Sequence, residues 1–304
     1  MLQPDVLQPR TFEEALRALS RAGAVPLAGA TDLIPAMRRG EAQPRVLVNL
    51  KHLPRLTSIR RTRSGVTIGA CVKVADLLTD RVVVEHLPLL AEVARDFGSP
   101  QIRALATVGG NLCNAAPSAD LALPLLVLDA SVAVRSRRGV RRMPLSEFVR
   151  GVNKTALRRG EILTAVHVPW SPTGTGAAHA KLGVRRAMDL ALVGVAAALT
   201  VARDGRRCTQ ARLALGAVAP IPMRARRAEA LLEDNEITSA LIAEAAATAA
   251  AEARPISDLR ASADYRREMV ETLARRVLEE ALRRARLPGE GRKEGGGGAK
   301  LRRK

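Results

Sequence analysis

The sequence predicts an α+β protein of two domains, and three observations carry that expectation. Hydrophobic content of 47% spread over 304 residues is enough for two packed cores. In the first half, helical apolar spacing and short strand-like runs alternate along the chain. Pro172-Thr173-Gly174-Thr175-Gly176 then reads as a linker, beyond which three strand-like runs precede three Ala-rich helical segments. The domains expected are residues 1–172 and 177–286, the second a three-stranded antiparallel sheet with a helical bundle. The Gly- and charge-rich residues 287–304 form a basic tail expected to be disordered.

Thr11-Phe12-Glu13-Glu14 is a capping box, and Phe12, Ala15, Leu16 and Leu19 follow at helical spacing. A strand over 24–28 runs into the small-residue turn Gly29-Ala30-Thr31-Asp32-Leu33, with a helix over 34–37. Strand, small-residue turn and helix start together offer unpaired N–H groups to a phosphate. Strands are read over 46–50 and 66–70, helices over 74–78 and 85–97. Next comes Thr107-Val108-Gly109-Gly110-Asn111, poor as strand or helix interior. It reads either as a turn between strands or as a concave nest of N–H groups for a diphosphate. Strands over 131–135 and 162–168 close the first domain. In the second, strands are read over 177–184, 190–202 and 208–215, with Asp204-Gly205 as a hairpin turn. Helices follow over 223–232, 239–253 and 263–285.

Composition narrows the function classes. A net charge of +19 suggests a solvated arginine-rich surface, an acidic partner or, less readily, nucleic acid. With aromatics at 2%, stacking platforms for bases are almost absent. Three cysteines without C-x-x-C spacing cannot alone ligate an iron–sulfur cluster, and four histidines show no metal-binding spacing; no metal ligand is expected. Asp5, Glu13 and Glu14 interrupt the start, and the longest apolar run, 190–202, is too short to span a bilayer, so a cytoplasmic protein is expected.

Gln101-Ile102-Arg103-Ala104, Ala106 to Asn111, Pro117, Asp120, Pro124, Leu126 and Ala130 together resemble the second flavin loop of one family. These are the FAD-carrying subunits of molybdenum hydroxylases, of the carbon monoxide dehydrogenase medium-subunit and xanthine dehydrogenase type. The run Pro26 to Met37 resembles the first flavin loop of that family. Lys154 to Leu157, Glu161 to Leu163, Lys181 to Arg186 and Tyr265-Arg266-Arg267 match further motif positions. Ala104 stands where the family has Asn. Ala30 replaces a glycine, which a negative φ would accommodate.

The resemblance implies the p-cresol methylhydroxylase-type FAD-binding fold, in which two α/β subdomains clasp FAD, followed by a smaller sheet-and-helix domain. It places Leu27, Ala28, Gly29, Ala30, Thr31, Asp32 and Leu33 on the cofactor, with Thr107, Val108, Gly109, Gly110 and Asn111. Backbone N–H groups of both bends would hold the diphosphate, the Thr107 hydroxyl adding a bond. Asp32 would turn away and cap the next helix. Asp120 is either an acceptor for ribose or ribityl hydroxyls or an N-cap for a helix starting at Leu121. Leu163 would pack on the flavin, and Lys181 would approach its ring or tail or stay solvated. No catalytic acid, base or nucleophile is expected. Molybdopterin and [2Fe-2S] clusters would sit on partners: a large molybdopterin subunit and a small iron–sulfur subunit, with an external electron acceptor. A flavin-free scaffold subunit and a basic nucleic-acid-binding protein are the alternatives.

Overall fold

Three parallel strands open the chain in this computed structural model: β1 (Asp5–Leu7), β2 (Ala24–Leu27) and β3 (Val46–Asn49), ordered β1-β3-β2. The structure describes residues 3–185 and 188–287; Arg186 of the Lys181 to Arg186 motif and the expected tail from residue 288 lie outside the described residues. Between β1 and β2 runs α1 (Phe12–Leu19), capped as the sequence predicts. Thr11 Oγ1 accepts from the Glu14 N–H at 3.2 Å, and the Glu14 carboxylate accepts from the Thr11 N–H at 3.3 Å. Ala15, Leu16 and Leu19 of α1 are buried in one cluster with Val46 and Val48. Helix α2 (Leu33–Arg38) leaves the end of β2 after the five-residue turn at Ala28 to Asp32.

The second subdomain follows: β4 (Ile59–Thr62), β5 (Gly65–Gly69), α3 (Arg81–His86), α4 (Pro88–Arg95), α5 (Pro100–Arg103), α6 (Val108–Asn114) and α7 (Ala122–Val127). After them come β6 (Ser131–Ser136), β7 (Gly139–Pro144), the small hairpin β8 (Val149–Gly151) and β9 (Lys154–Thr155), and β10 (Ile162–Pro169). The sheet is antiparallel in the order β4-β5-β10-β6-β7. Val66, Ile68, Val132, Val134, Val166 and Val168 alternate into the core beneath it. The single helix expected over 85–97 is two, because Pro88 has no N–H to continue α3 yet suits the first position of α4. Gly109-Gly110, expected outside regular structure, lies in the first turn of α6.

In the second domain, β11 (Thr175–Leu182), β12 (Val193–Val201), β13 (Cys208–Gly216) and the two-residue β14 (Met223–Arg224) pair antiparallel in sequence order. Helices α8 (Arg226–Leu232), α9 (Ser239–Glu252) and α10 (Ala263–Arg286) follow. Met223, expected to start a helix, instead pairs with Leu215, so the sheet has a short fourth strand. The Asp204-Gly205 turn forms as predicted: Asp204 Oδ1 accepts from the Arg206 N–H at 2.9 Å, and Gly205 takes φ 68°. One face of this sheet packs against α8 and α10, which α9 covers in turn; the other rests on α7, with Gly194 and Gly216 leaving room for the Leu123 side chain. Asp129, just past α7, ties the domains together by pairing with both Arg212 and Arg224.

Candidate functional site

The bend after β2 and the start of α6, roughly eighty positions apart in sequence, meet. A Cβ on Gly29 would lie 2.4 Å from the Leu105 carbonyl oxygen, and one on Gly109 would lie 2.6 Å from the Ala70 Cβ. Both glycines are therefore required by the close approach of residues remote in the chain. Between the two segments is a cavity of about 350 Å³. Val25, Pro26, Ala28 to Leu33 and Ala36 form one wall; Ala70, Cys71, Ala106, Thr107, Gly109 to Asn111, Cys113 and Asn114 form another. Leu50, Phe97, Leu157 and Glu161 to Leu163 complete it. The lining is mostly apolar with a few polar groups, as in sites for cofactors.

The two bends differ in what their amides do. Among the described residues, the N–H groups of Gly29, Ala30, Thr31, Asp32 and Leu33 donate to no protein acceptor, the first chain donor after them being Ile34 to the Ala30 carbonyl at 3.1 Å. Five successive unsatisfied donors lining a cavity suit an anion that supplies several acceptor oxygens. In the second bend the amides of Val108 to Asn111 are already engaged. Val108 N–H donates to Val72 at 3.0 Å, Gly109 N–H to Ala70 at 2.8 Å and Asn111 N–H to Thr107 at 3.0 Å. Gly110 N–H donates to the Thr107 hydroxyl at 3.0 Å. The expectation that both bends present free N–H groups is thus corrected. Thr107, 2% exposed, is the N-cap of α6, and its hydroxyl oxygen serves that helix.

Three further expectations change. Ala30 takes φ 64°, not the negative value that would accommodate its methyl group, because the chain must curl left-handed to enter α2. Asp32 makes no side-chain cap to α2; its carboxylate accepts from Asn114 Nδ2 at 3.3 Å and from the Thr31 hydroxyl at 3.4 Å, bridging first bend to α6. Asp120 caps no helix either: α7 starts one residue later than expected, and its N-cap, Leu121, makes no side-chain bond. Asp120 Oδ2 instead accepts from Lys181 Nζ at 2.9 Å, joining the two domains. Burial raises the Asp120 carboxyl above its ordinary range, and Lys181 opposes that rise.

Of the residues expected at the site, Leu27, Val108, Asp120 and Lys181 lie off the cavity lining, whereas Ala28 to Leu33, Thr107, Gly109, Gly110, Asn111 and Leu163 are on it. Sequence reasoning missed Phe97, Cys71, Cys113 and Asn114 and gave Leu157 and Glu161 no site role. Asn114 had a signal, since it follows Asn111 by three positions on one helix face. Cys71 had none, because only the end of β5 brings it there. Burial pushes both the Cys71 and Cys113 thiols up to about 12, so they line the cavity protonated. Arg141 donates to both Glu161 oxygens, at 3.0 and 2.7 Å, and holds that carboxyl below its ordinary range. Among the described residues, no helix is long and apolar enough to cross a membrane, and no cluster of His, Cys, Asp and Glu could hold a metal ion.

Residues 2–171 match the family described as "FAD binding domain in molybdopterin dehydrogenase". Residues 178–281 match "CO dehydrogenase flavoprotein C-terminal domain". The chain is 34% identical to the 6-hydroxypseudooxynicotine dehydrogenase complex subunit alpha of Paenarthrobacter nicotinovorans, over 93% of this chain and 95% of that protein. It is 34% identical to the xanthine dehydrogenase FAD-binding subunit of Escherichia coli O157:H7, over 84% of this chain and 88% of that one. Its fold superposes on a chain of the carbon monoxide dehydrogenase of Hydrogenophaga pseudoflava with a TM-score of 0.89 at 33% identity, covering 93% of this chain and 98% of the other.

Proposed function

We propose that this chain, which belongs to the family of FAD-binding subunits of molybdopterin dehydrogenases, holds FAD in the cavity between its two bends as the electron-transfer subunit of a larger complex. The five undonated amides of Gly29 to Leu33 carry this reading, because a diphosphate is an anion with enough oxygens to satisfy them. FAD supplies the redox chemistry when bound. The chain's own residues bind and orient it. The amides of the first bend donate to phosphate oxygens, and the missing side chain at Gly110 leaves room on the opposite wall. Asn111 keeps its side-chain oxygen on the Leu121 N–H at 3.2 Å, which directs the amide nitrogen elsewhere as a donor. Phe97, Leu157 and Leu163 offer apolar surface that excludes water. Any contact of Asp120 with cofactor hydroxyls, or of Lys181 with the ring, competes with their mutual ion pair.

Electrons would reach FAD from a small [2Fe-2S] subunit, supplied by a large molybdopterin subunit, and leave to an external acceptor. The purified chain is expected to be yellow and to bleach on chemical reduction. Gly110→Val should abolish flavin retention while the second domain stays folded by circular dichroism and limited proteolysis. Its Cβ would meet only the Thr107 hydroxyl, at 2.8 Å, so the added bulk breaks the α6 cap and fills the cavity without striking backbone. A colourless wild-type chain that takes up no added FAD would overturn the reading.

A further inference from the structure

The charge of +19 is not evenly compensated. In the second domain, arginines find carboxylates: Arg212 and Arg224 on Asp129, Arg266 on Asp258, and Arg283 and Arg284 on Glu280. On the outer face of the five-stranded sheet they do not. The central strands present small residues there, Gly69 from β5, Ala165 from β10 and Ala133 from β6, paired across in one row with Arg142 of β7 at its end. Arg60 of β4 lies opposite Thr67, which is itself opposite His167. Long side chains at both edges and small ones in the middle make a trough of about 490 Å³, with Arg55, Arg60, Arg135 and Arg142 among its walls and no carboxylate. A second hollow of about 480 Å³ adjoins it through Val140 and adds Arg137, Arg138, Arg158 and Arg159. Of all the arginines lining the two hollows, only Arg141 has a carboxylate within ion-pair distance among the described residues, namely Glu161.

Like charges crowded on one face repel, and no carboxylate lines the trough to offset that repulsion. We infer that this sheet face is the docking surface for an acidic protein segment, one presenting clustered Asp and Glu carboxylates on a partner subunit. The inference rests on the reading of this chain as one subunit of a complex. Five strands span about 20 Å at ordinary strand spacing, with arginines at both rims, which is too wide for a single small anion and suits a stretch of polypeptide. Nucleic acid fits less well: among the trough's lining residues Phe12 is the one Phe, Tyr or Trp ring, and the Arg135 guanidinium already covers it at 4.4 Å.

The test uses the full chain loaded with FAD and a labelled oligoglutamate peptide as probe. Arg60→Glu with Arg142→Glu should weaken peptide binding at least tenfold and flatten its salt dependence, while Arg227→Glu, on an exposed turn of α8, leaves it unchanged. Equal affinity for wild type and the double variant overturns the inference. So does single-stranded DNA of matched charge binding tenfold more tightly than the peptide. Flavin absorbance is read on every sample, so a chain that never held FAD counts against the cofactor reading rather than this one. An independent measurement needs no variant: arginine-selective labelling of wild-type chain, free and within its isolated complex. Arginines of this face should be protected at least tenfold in the complex, and equal labelling overturns the inference.

Discussion

The two bends that wall the cavity look alike in sequence, both small-residue segments with a threonine and a glycine, yet they do opposite work. Among the described residues the first leaves five amides without acceptors; in the second, the amides of Val108 to Asn111 are engaged by the residues just after β5 or by Thr107. A segment that follows an edge of secondary structure and turns away keeps its donors. One that starts a helix against the end of a strand does not. Glycine content alone therefore does not identify an anion nest; the acceptors around it decide.

Breaking the first bend should have the largest effect. Gly29→Val drives a side chain into the Leu105 carbonyl, and we expect about 3 kcal/mol or more of lost domain stability together with loss of flavin, read by thermal unfolding and absorbance. Main-chain amides do not titrate, so flavin binding through them should be nearly flat between neutral and mildly acid pH. Stability should not be. Burial, with Lys181 adding to it, lowers His179 from 6.5 to about 4, and its buried Nε2 has no partner among the described residues. A depressed folded value means stability is fully present above pH 6.5 and is lost as pH falls toward 4, on the order of 3 kcal/mol. His179→Leu should remove most of that slope in denaturant titrations at several pH values.

A crossed pair sharpens the contrast further. Thr107→Ala removes the α6 cap and should lower apoprotein stability by about 1 kcal/mol. Thr31→Ala removes only a hydroxyl whose partner is the exposed Asp32, keeps the free amide, and should change FAD affinity by no more than about threefold (below 1 kcal/mol) with no stability change. A large affinity loss there would mean that the side chain, not the backbone, binds. One variant should bring a gain: Ala30→Gly relieves a left-handed alanine and should stabilise the protein by up to about 1 kcal/mol, seen as a raised Tm with flavin retained.

What sequence made legible were requirements that a few neighbouring residues state for themselves. Thr11 to Glu14 declares a helix start and Asp204-Gly205 a hairpin, because each depends on short-range hydrogen bonds; Gly29 and Gly109 stand out in the chain, but the residues that exclude a Cβ there, Leu105 and Ala70, are remote in sequence. The flavin-subunit resemblance is strongest in the segments around Gly29 and Gly109. The break at Pro88, though written in the chain, emerged only when the helix was seen to be two. Tertiary structure alone decided which amides stay free, since the acceptors that engage Val108 and Gly109 come from Val72 and Ala70, dozens of residues earlier. It also decided that Lys181 meets Asp120 and that Cys71 joins Cys113 around one cavity. Such pairings depend on distances between segments remote in the chain, and no local pattern encodes them.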